Sequence, residues 1–135
     1  MKFSMKFSMK FRFISFLGFF LTSSLCAAPM FKITPVSTTI PVAKGDHAFI
    51  TYTIENDIGF ATRIKIESPV SPQPTKVWST NCPISSGSLA DGASCTVQLT
   101  TVYAAQSGIL GSVAVYDASG SIGSQSTTSV RIIVQ

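Results

Sequence analysis

Two cysteines, Cys82 and Cys95, lie thirteen positions apart around a loop of small and polar residues, "NCPISSGSLADGASC". Such a pair can bind a metal ion, carry out redox chemistry or form a structural disulfide. A zinc site normally needs four Cys, His or acidic ligands, and the single histidine, His47, is distant in sequence. Catalytic dithiols are typically spaced Cys-x-x-Cys, which this chain lacks. The residues favour a disulfide between Cys82 and Cys95, with no metal and no cofactor.

His47 and the adjacent Asp46 are the residues to consider for catalysis. Serines are plentiful, so the residue types of a Ser–His–Asp triad are present. No Gly-x-Ser-x-Gly motif marks a nucleophile, and His47 falls on the predicted outer face of a strand. We expect no catalytic residues. A small periplasmic or secreted hydrolase that uses His47 is the alternative hypothesis.

The N-terminal segment has the pattern of a secretory signal peptide. Lysines and one arginine precede an apolar stretch, Phe13–Leu25, which is followed by the small residues Cys-Ala-Ala. That stretch is shorter than the roughly 20 residues that span a bilayer as a helix. We predict that residues 1–28 are a cleaved signal peptide and that 29–135 form the exported domain. The expected location is periplasmic or secreted, without stable membrane insertion after cleavage.

Cys26 raises the alternative of a lipoprotein anchor. Lipoprotein signals carry a small residue directly before the modified cysteine, whereas here that position is Leu25. Ordinary cleavage between Cys26 and Pro29 is therefore favoured. The sequence does not distinguish which methionine initiates translation. A signal peptide could begin at any of three: Met1, Met5 and Met9.

Charge argues against partners that bind through electrostatic attraction. The full chain carries a net charge of +4, but four of its ten basic residues lie in the predicted signal peptide. The six that remain are balanced by six acidic residues, so residues 29–135 have a net charge of zero. Without a basic patch, we expect neither nucleic-acid binding nor attraction to an anionic membrane surface.

Period-two alternation is the main structural signal of the chain. Two such runs, "DHAFITYTIEND" and "FATRIKIES", are joined by the turn residues of "ENDIG". We predict that they pair as an antiparallel hairpin. Its inner face would comprise Ala48, Ile50, Tyr52, Ile54, Phe60, Thr62, Ile64 and Ile66.

Further alternating runs cover residues 95–102, 109–117 and 128–134. In the second of them, the inner positions would be Ile109, Gly111, Val113 and Val115. Residues 118–126, "ASGSIGSQS", are predicted to be a loop. At the front, "FKITPVSTTIPV" contains two prolines, which cannot donate to a sheet ladder and therefore place this segment at an edge.

These patterns predict the fold class. About seven short strands, frequent turn residues and no helical periodicity indicate an all-β, immunoglobulin-like antiparallel β-sandwich over residues 29–135. A small β-barrel is the alternative.

Two aromatic residues are the candidates for a contact surface. Trp78 follows the proline-rich segment "SPVSPQPTKV", and packing in the core or at an edge is its favoured role. If Trp78 is exposed instead, it becomes the first candidate contact residue. Phe49 is the second, because it is the apolar residue on an otherwise polar strand face.

Three short segments resemble bacterial immunoglobulin-like domains of the choice-of-anchor and Hydin-like kind. These are "LADGASCTVQL", "AFITYTIEND" and "GILGSVAVYDASG", and the resemblance extends over roughly Phe31 to Gln135. It implies an immunoglobulin-like fold, a disulfide between Cys82 and Cys95, and turn roles for Gly92 and Ser94. It implies no catalytic residues.

The functional expectation is an exported, non-catalytic module that acts by contact. Its partner would be an unidentified protein or glycan, met through loops or a sheet edge. A pilus-assembly-type component, in which an edge strand accepts or donates a partner strand, is a special case of this hypothesis.

Overall fold

The computed structural model describes residues 30–135, which contain ten strands and no helix. The predicted signal peptide, residues 1–28, lies outside the described residues. In chain order the strands are β1 (Met30–Pro35), β2 (Thr39–Val42), β3 (Phe49–Asp57), β4 (Ile64–Glu67), β5 (Thr75–Thr80), β6 (Ser94–Thr101), β7 (Gly108–Leu110), β8 (Ala114–Asp117), β9 (Gly123–Gln125) and β10 (Val130–Val134).

The strands form three sheets around one core. A four-stranded sheet has the order β1-β3-β6-β5, and two three-stranded sheets have the orders β2-β10-β7 and β4-β8-β9. All pairings are antiparallel except β2 with β10. The predicted all-β sandwich is confirmed. The strand number is ten rather than about seven, because two of the predicted runs each divide into two strands and the predicted loop over residues 118–126 contains another.

The alternation in β3 and β6 forms the centre of the core. Ile50, Tyr52 and Ile54 point inward and are almost completely buried. They lie opposite Leu99, Val97 and Cys95 of β6 in the same order. Each fully buried aliphatic side chain contributes about 1.5–3 kcal/mol relative to an exposed one. The same pattern buries Val130 and Ile132 in β10, as predicted.

The predicted hairpin between the runs of β3 and β4 is wrong. β3 has β1 on one side and β6 on the other, whereas β4 pairs with β8 in another sheet. After β3 the chain leaves the four-stranded sheet, with Ile58 buried in the core and Phe60 turned toward solvent. Phe60 is 47% exposed, so its predicted inner position is also wrong.

The predicted single strand over residues 109–117 is two strands. β7 ends at Leu110 and β8 begins at Ala114, and the two belong to different sheets. Ile109 is 56% exposed while Leu110 is buried, which reverses the predicted faces at this end. β7 pairs with β10, so the sheet that contains β10 determines which side chains of β7 point inward. The alternation of β8 does not continue into β7.

The predicted loop over residues 118–126 contains a strand. β9 pairs with β8, and Gly123 lies opposite Tyr116. The Tyr116 ring packs so closely on Gly123 that a Cβ atom there would clash with it. A glycine in this strand is thus explained by close packing rather than by loop flexibility.

Prolines occupy edge strands, as predicted. Pro35 ends β1 and Pro41 lies in β2, and each strand is at the edge of its sheet. The segment nevertheless divides between two sheets, since β1 pairs with β3 and β2 pairs with β10.

Asp117 fixes the turn between β8 and β9. Its Oδ2 accepts a hydrogen bond from Ser119 Oγ at 2.6 Å, and its Oδ1 accepts one from Ile122 N at 3.0 Å. The Ser119 hydroxyl, followed by backbone donors, lowers the pKa of Asp117. These bonds favour the ionised carboxylate.

The lowered pKa of Asp117 predicts a pH dependence. Its stabilising effect is present above the ordinary carboxyl pKa and is lost as the pH falls through the lower pKa of the folded state. We expect Asp117→Asn to lower the melting temperature at neutral pH and to reduce its fall in acid. Thermal unfolding from neutral to strongly acidic pH measures both effects, and an unchanged acid profile would contradict this assignment.

Candidate binding site

The disulfide predicted from the sequence is present. Cys82 follows β5, Cys95 lies in β6, and their Cα atoms are 5.0 Å apart. Both residues are buried in the core. The bond therefore links the end of one strand to the start of its antiparallel neighbour and closes the intervening loop.

Asn56 anchors that loop from the inside. Its side-chain Nδ2 donates to Leu89 O at 2.8 Å and to Phe60 O at 2.9 Å, while Oδ1 accepts from Ile58 N at 3.1 Å. The side chain is completely buried. The sequence predicts Asn56 only as a turn residue. Its hydrogen bond to Leu89, in a loop distant in sequence, is apparent only from the structure.

Trp78 and Phe49 form an exposed aromatic pair. Their ring centroids are 5.7 Å apart, and the planes meet at 73° in an edge-to-face arrangement. Trp78 is 60% exposed and Phe49 is 44% exposed. Of the two packing roles expected for Trp78, the core is therefore wrong, whereas its strand, β5, does lie at an edge of the sheet. The structure brings the two candidate contact residues together.

The sheet explains how residues so far apart in sequence meet. Phe49 of β3 lies opposite Thr100 of β6, which in turn lies opposite Lys76 of β5. An irregularity in the β5–β6 register between Val77 and Ser79 leaves Trp78 as an extra residue. Bulges of this kind redirect a side chain, and here Trp78 is directed toward Phe49 on the outer face.

The pair borders a surface cavity of about 470 Å³, which we call the aromatic cavity. Its volume falls within the range of small-molecule sites. Around the aromatic rings it presents a carboxylate, an imidazole and an ammonium group, while the two threonines of its lining are buried. The lining residues are Asp46, His47, Phe49, Lys76, Trp78, Thr100, Thr101 and Val102.

His47 lies at the wall of this cavity and is held by the backbone. Its Nδ1 is 2.8 Å from Thr101 O. A carbonyl oxygen can only accept, so Nδ1 carries the hydrogen and Nε2 is the acceptor of the neutral ring. His47 can therefore offer a hydrogen bond acceptor, or a second donor when protonated, to a ligand.

The geometry does not assemble a catalytic triad among the described residues. No serine or cysteine lines the aromatic cavity, and the partner of His47 Nδ1 is a backbone carbonyl rather than the Asp46 carboxylate. Residues 30–135 also contain no cluster of three His, Cys, Asp or Glu side chains placed to bind a metal ion.

A second depression, of about 320 Å³, lies on the same face of the sheet; we call it the polar depression. Hydroxyl and amide side chains form its whole lining, with no charged residue. They are Thr51, Ser79, Thr80, Asn81, Thr96 and Gln98. This second depression has no counterpart among the sequence predictions, because its residues come from three separate segments.

Within residues 30–135 there is no helix with the length and apolar character needed to cross a bilayer.

Comparison with known proteins finds little similarity. No family model matches the chain, and no curated protein matches it significantly. Among solved structures, the chain is similar to domains 4 and 5 of the S-layer protein SbsC, with 19% sequence identity and a TM-score of 0.37. The match covers 78% of this chain and 53% of that structure, so the chain spans about half the length of the structure it matches.

Proposed function

We propose that this chain is an exported, non-catalytic binding module that contacts a glycan or protein partner through the aromatic cavity. The exposed edge-to-face pair of Phe49 and Trp78 carries this proposal. Aromatic rings bury large areas on association and are enriched at the energetically dominant positions of interfaces. Polar groups of Asp46, His47 and Lys76 surround the rings and can orient a ligand.

Two observations support export and a role without catalysis. The Cys82–Cys95 disulfide is of the kind that persists in the periplasm or outside the cell, which agrees with the signal-peptide pattern of residues 1–28. A hydrolase using His47 has no support from the aromatic cavity, since its lining offers no serine or cysteine nucleophile.

The proposal predicts that binding to cell envelopes depends on the aromatic pair. We expect the purified protein to sediment with envelopes of the organism that encodes it. The double variant Phe49→Ala, Trp78→Ala should weaken this binding at least about tenfold, because both rings would lose the area they bury on contact. Its free energy of unfolding should fall by about 2–3 kcal/mol, because the variant loses the aromatic pair and the part of each ring that is buried in the fold.

Phe60→Ala is the matched control. Phe60 has nearly the same exposure as Phe49 but does not line the aromatic cavity. It should sediment with envelopes like the wild type. Equal binding by the double variant and the wild type would overturn the proposal.

A further inference from the structure

The outer face of the four-stranded sheet has a neutral, hydroxyl-rich centre. One row across the strands consists of Thr51, Gln98 and Ser79, and the next consists of Phe49, Thr100 and Lys76. The first row belongs to the polar depression and the second to the aromatic cavity. Rows two residues apart along a strand are about 7 Å apart. The two recesses are therefore neighbours on one continuous surface.

Hydrogen-bonding groups in the polar depression are available to a ligand. Gln98 Oε1 is 3.5 Å from Ser79 Oγ, but the Gln98 Nε2 group and the Thr51 hydroxyl have no hydrogen bond partner within residues 30–135. Gln98 and Thr51 are also held on adjacent strands, opposite each other. Gln98 thus presents the two N–H donors of its amide, and Thr51 presents its hydroxyl beside them.

Charged residues border the aromatic cavity and the far end of β3, and none lines the polar depression. Lys32 on β1 lies 3.5 Å from Glu55 and 3.5 Å from Asp57, at the opposite end of β3 from the aromatic cavity. In the aromatic cavity itself, the Lys76 ammonium group is accompanied by the Asp46 carboxylate. An acidic ligand would meet one cation and one anion there, so the surface has no preference for negative charge.

We infer that the partner is a neutral polysaccharide that lies across both recesses; this inference rests on the proposed function. A sugar ring has apolar C–H faces, which pack on aromatic rings, and hydroxyl groups at its rim, which exchange hydrogen bonds with amides and hydroxyls. Phe49 and Trp78 match the first property. Gln98, Thr51 and Ser79 match the second.

A protein partner fits this surface less well. Stable protein interfaces bury about 800 Å² on each side and have an apolar centre with a polar rim. Within the two recesses, apolar side chains are confined to the aromatic cavity, at Phe49, Trp78 and Val102. The centre is made of hydroxyls and amides. The observations therefore favour a hydroxylated ligand.

Electrophoresis of the purified protein in native gels that contain a soluble polysaccharide tests the inference. The gels are run at alkaline pH, because residues 29–135 have no net charge near neutrality. The probes are a neutral glucan, a mannan and a galactan, with alginate and hyaluronan as acidic counterparts. We expect at least one neutral polymer to retard the wild type. Thr51→Val and Gln98→Leu should each raise the apparent dissociation constant roughly fivefold, the effect of one neutral hydrogen bond.

Thr53→Val is the matched control for Thr51→Val. Thr53 lies on the same strand and the same face, two residues away, but lines neither recess. It should leave retardation unchanged. Equal effects of Thr51→Val and Thr53→Val would overturn the assignment of the polar depression.

Three other outcomes distinguish failure of the inference from failure of the proposed function. Retardation by the acidic polymers alone would overturn the inference that the ligand is neutral. If no polymer retards the wild type, but it still sediments with envelopes in a Trp78-dependent manner, the polysaccharide inference is overturned and the proposed binding function stands. If envelope binding is also independent of Trp78, both are overturned.

Discussion

Replacing Cys82 and Cys95 together with alanine should lower the free energy of unfolding by about 3 kcal/mol. The disulfide closes a loop with a sequence separation of 13, and in the chain-entropy model this restricts the unfolded chain. Domains of this size have a total stability of about 5–15 kcal/mol. The disulfide is therefore a large fraction of the stability of the fold.

Urea unfolding followed by far-ultraviolet circular dichroism measures this effect. Dithiothreitol is the control, since it should move the midpoint of the wild type toward that of the double variant and leave the double variant unchanged. Wild type and double variant with the same midpoint would show that the bond contributes nothing to stability.

Asn56→Ala should lower the free energy of unfolding by about 4 kcal/mol. The substitution removes three hydrogen bonds, to Phe60 O, Leu89 O and Ile58 N, at a completely buried position. The buried Ile58 N is left without a partner, which costs about 1–3 kcal/mol. Phe60 O and Leu89 O each lose a bond worth about 1 kcal/mol, and Leu89 O keeps its second partner, Thr62 N. Asn56 thus connects the turn after β3 to the disulfide loop at a position where water cannot readily replace it.

Asn81→Ala is the comparison for this prediction. Asn81 Oδ1 also accepts a backbone hydrogen bond, from Thr96 N at 2.7 Å, but Asn81 is exposed. Water can satisfy Thr96 N after substitution, so the loss should be no more than about 1 kcal/mol. Equal losses in the two variants, measured by urea unfolding, would contradict the anchoring role of Asn56.

Asn56→Asp separates hydrogen bonding from shape. The aspartate keeps the size of the side chain and still accepts from Ile58 N, but an ionised carboxylate cannot donate to Phe60 O or Leu89 O. It should therefore destabilise the protein at neutral pH at least as much as alanine does.

The core strands were predictable because alternation is a local property. Ile50, Tyr52 and Ile54 follow one another at every second residue, and this spacing places them on one face whatever strand lies beside them. Pairing is not local. The turn residues after β3 are compatible with a hairpin to β4. In the structure, however, β1 and β6 occupy both sides of β3, and Ile58 packs in the core.

Two residues of the candidate binding site, Phe49 and Trp78, can be named from the sequence, but their arrangement cannot. Trp78 is a candidate because it follows the proline-rich segment, and Phe49 because it is the apolar residue on an otherwise polar strand face. Their approach to 5.7 Å depends on β6 lying between β3 and β5 and on the bulge at Trp78. Neither feature has a signature in the sequence around these residues.

Trp78 also provides the most direct measurement of the central claim, because it is the one tryptophan of the chain. Its emission can be recorded with and without envelopes while acrylamide is added as a quencher. We expect bound envelopes to shift the emission of Trp78 to shorter wavelength and to protect it from acrylamide, because the exposed ring becomes covered. Unchanged emission and quenching, under conditions where the protein sediments with the envelopes, would contradict that claim.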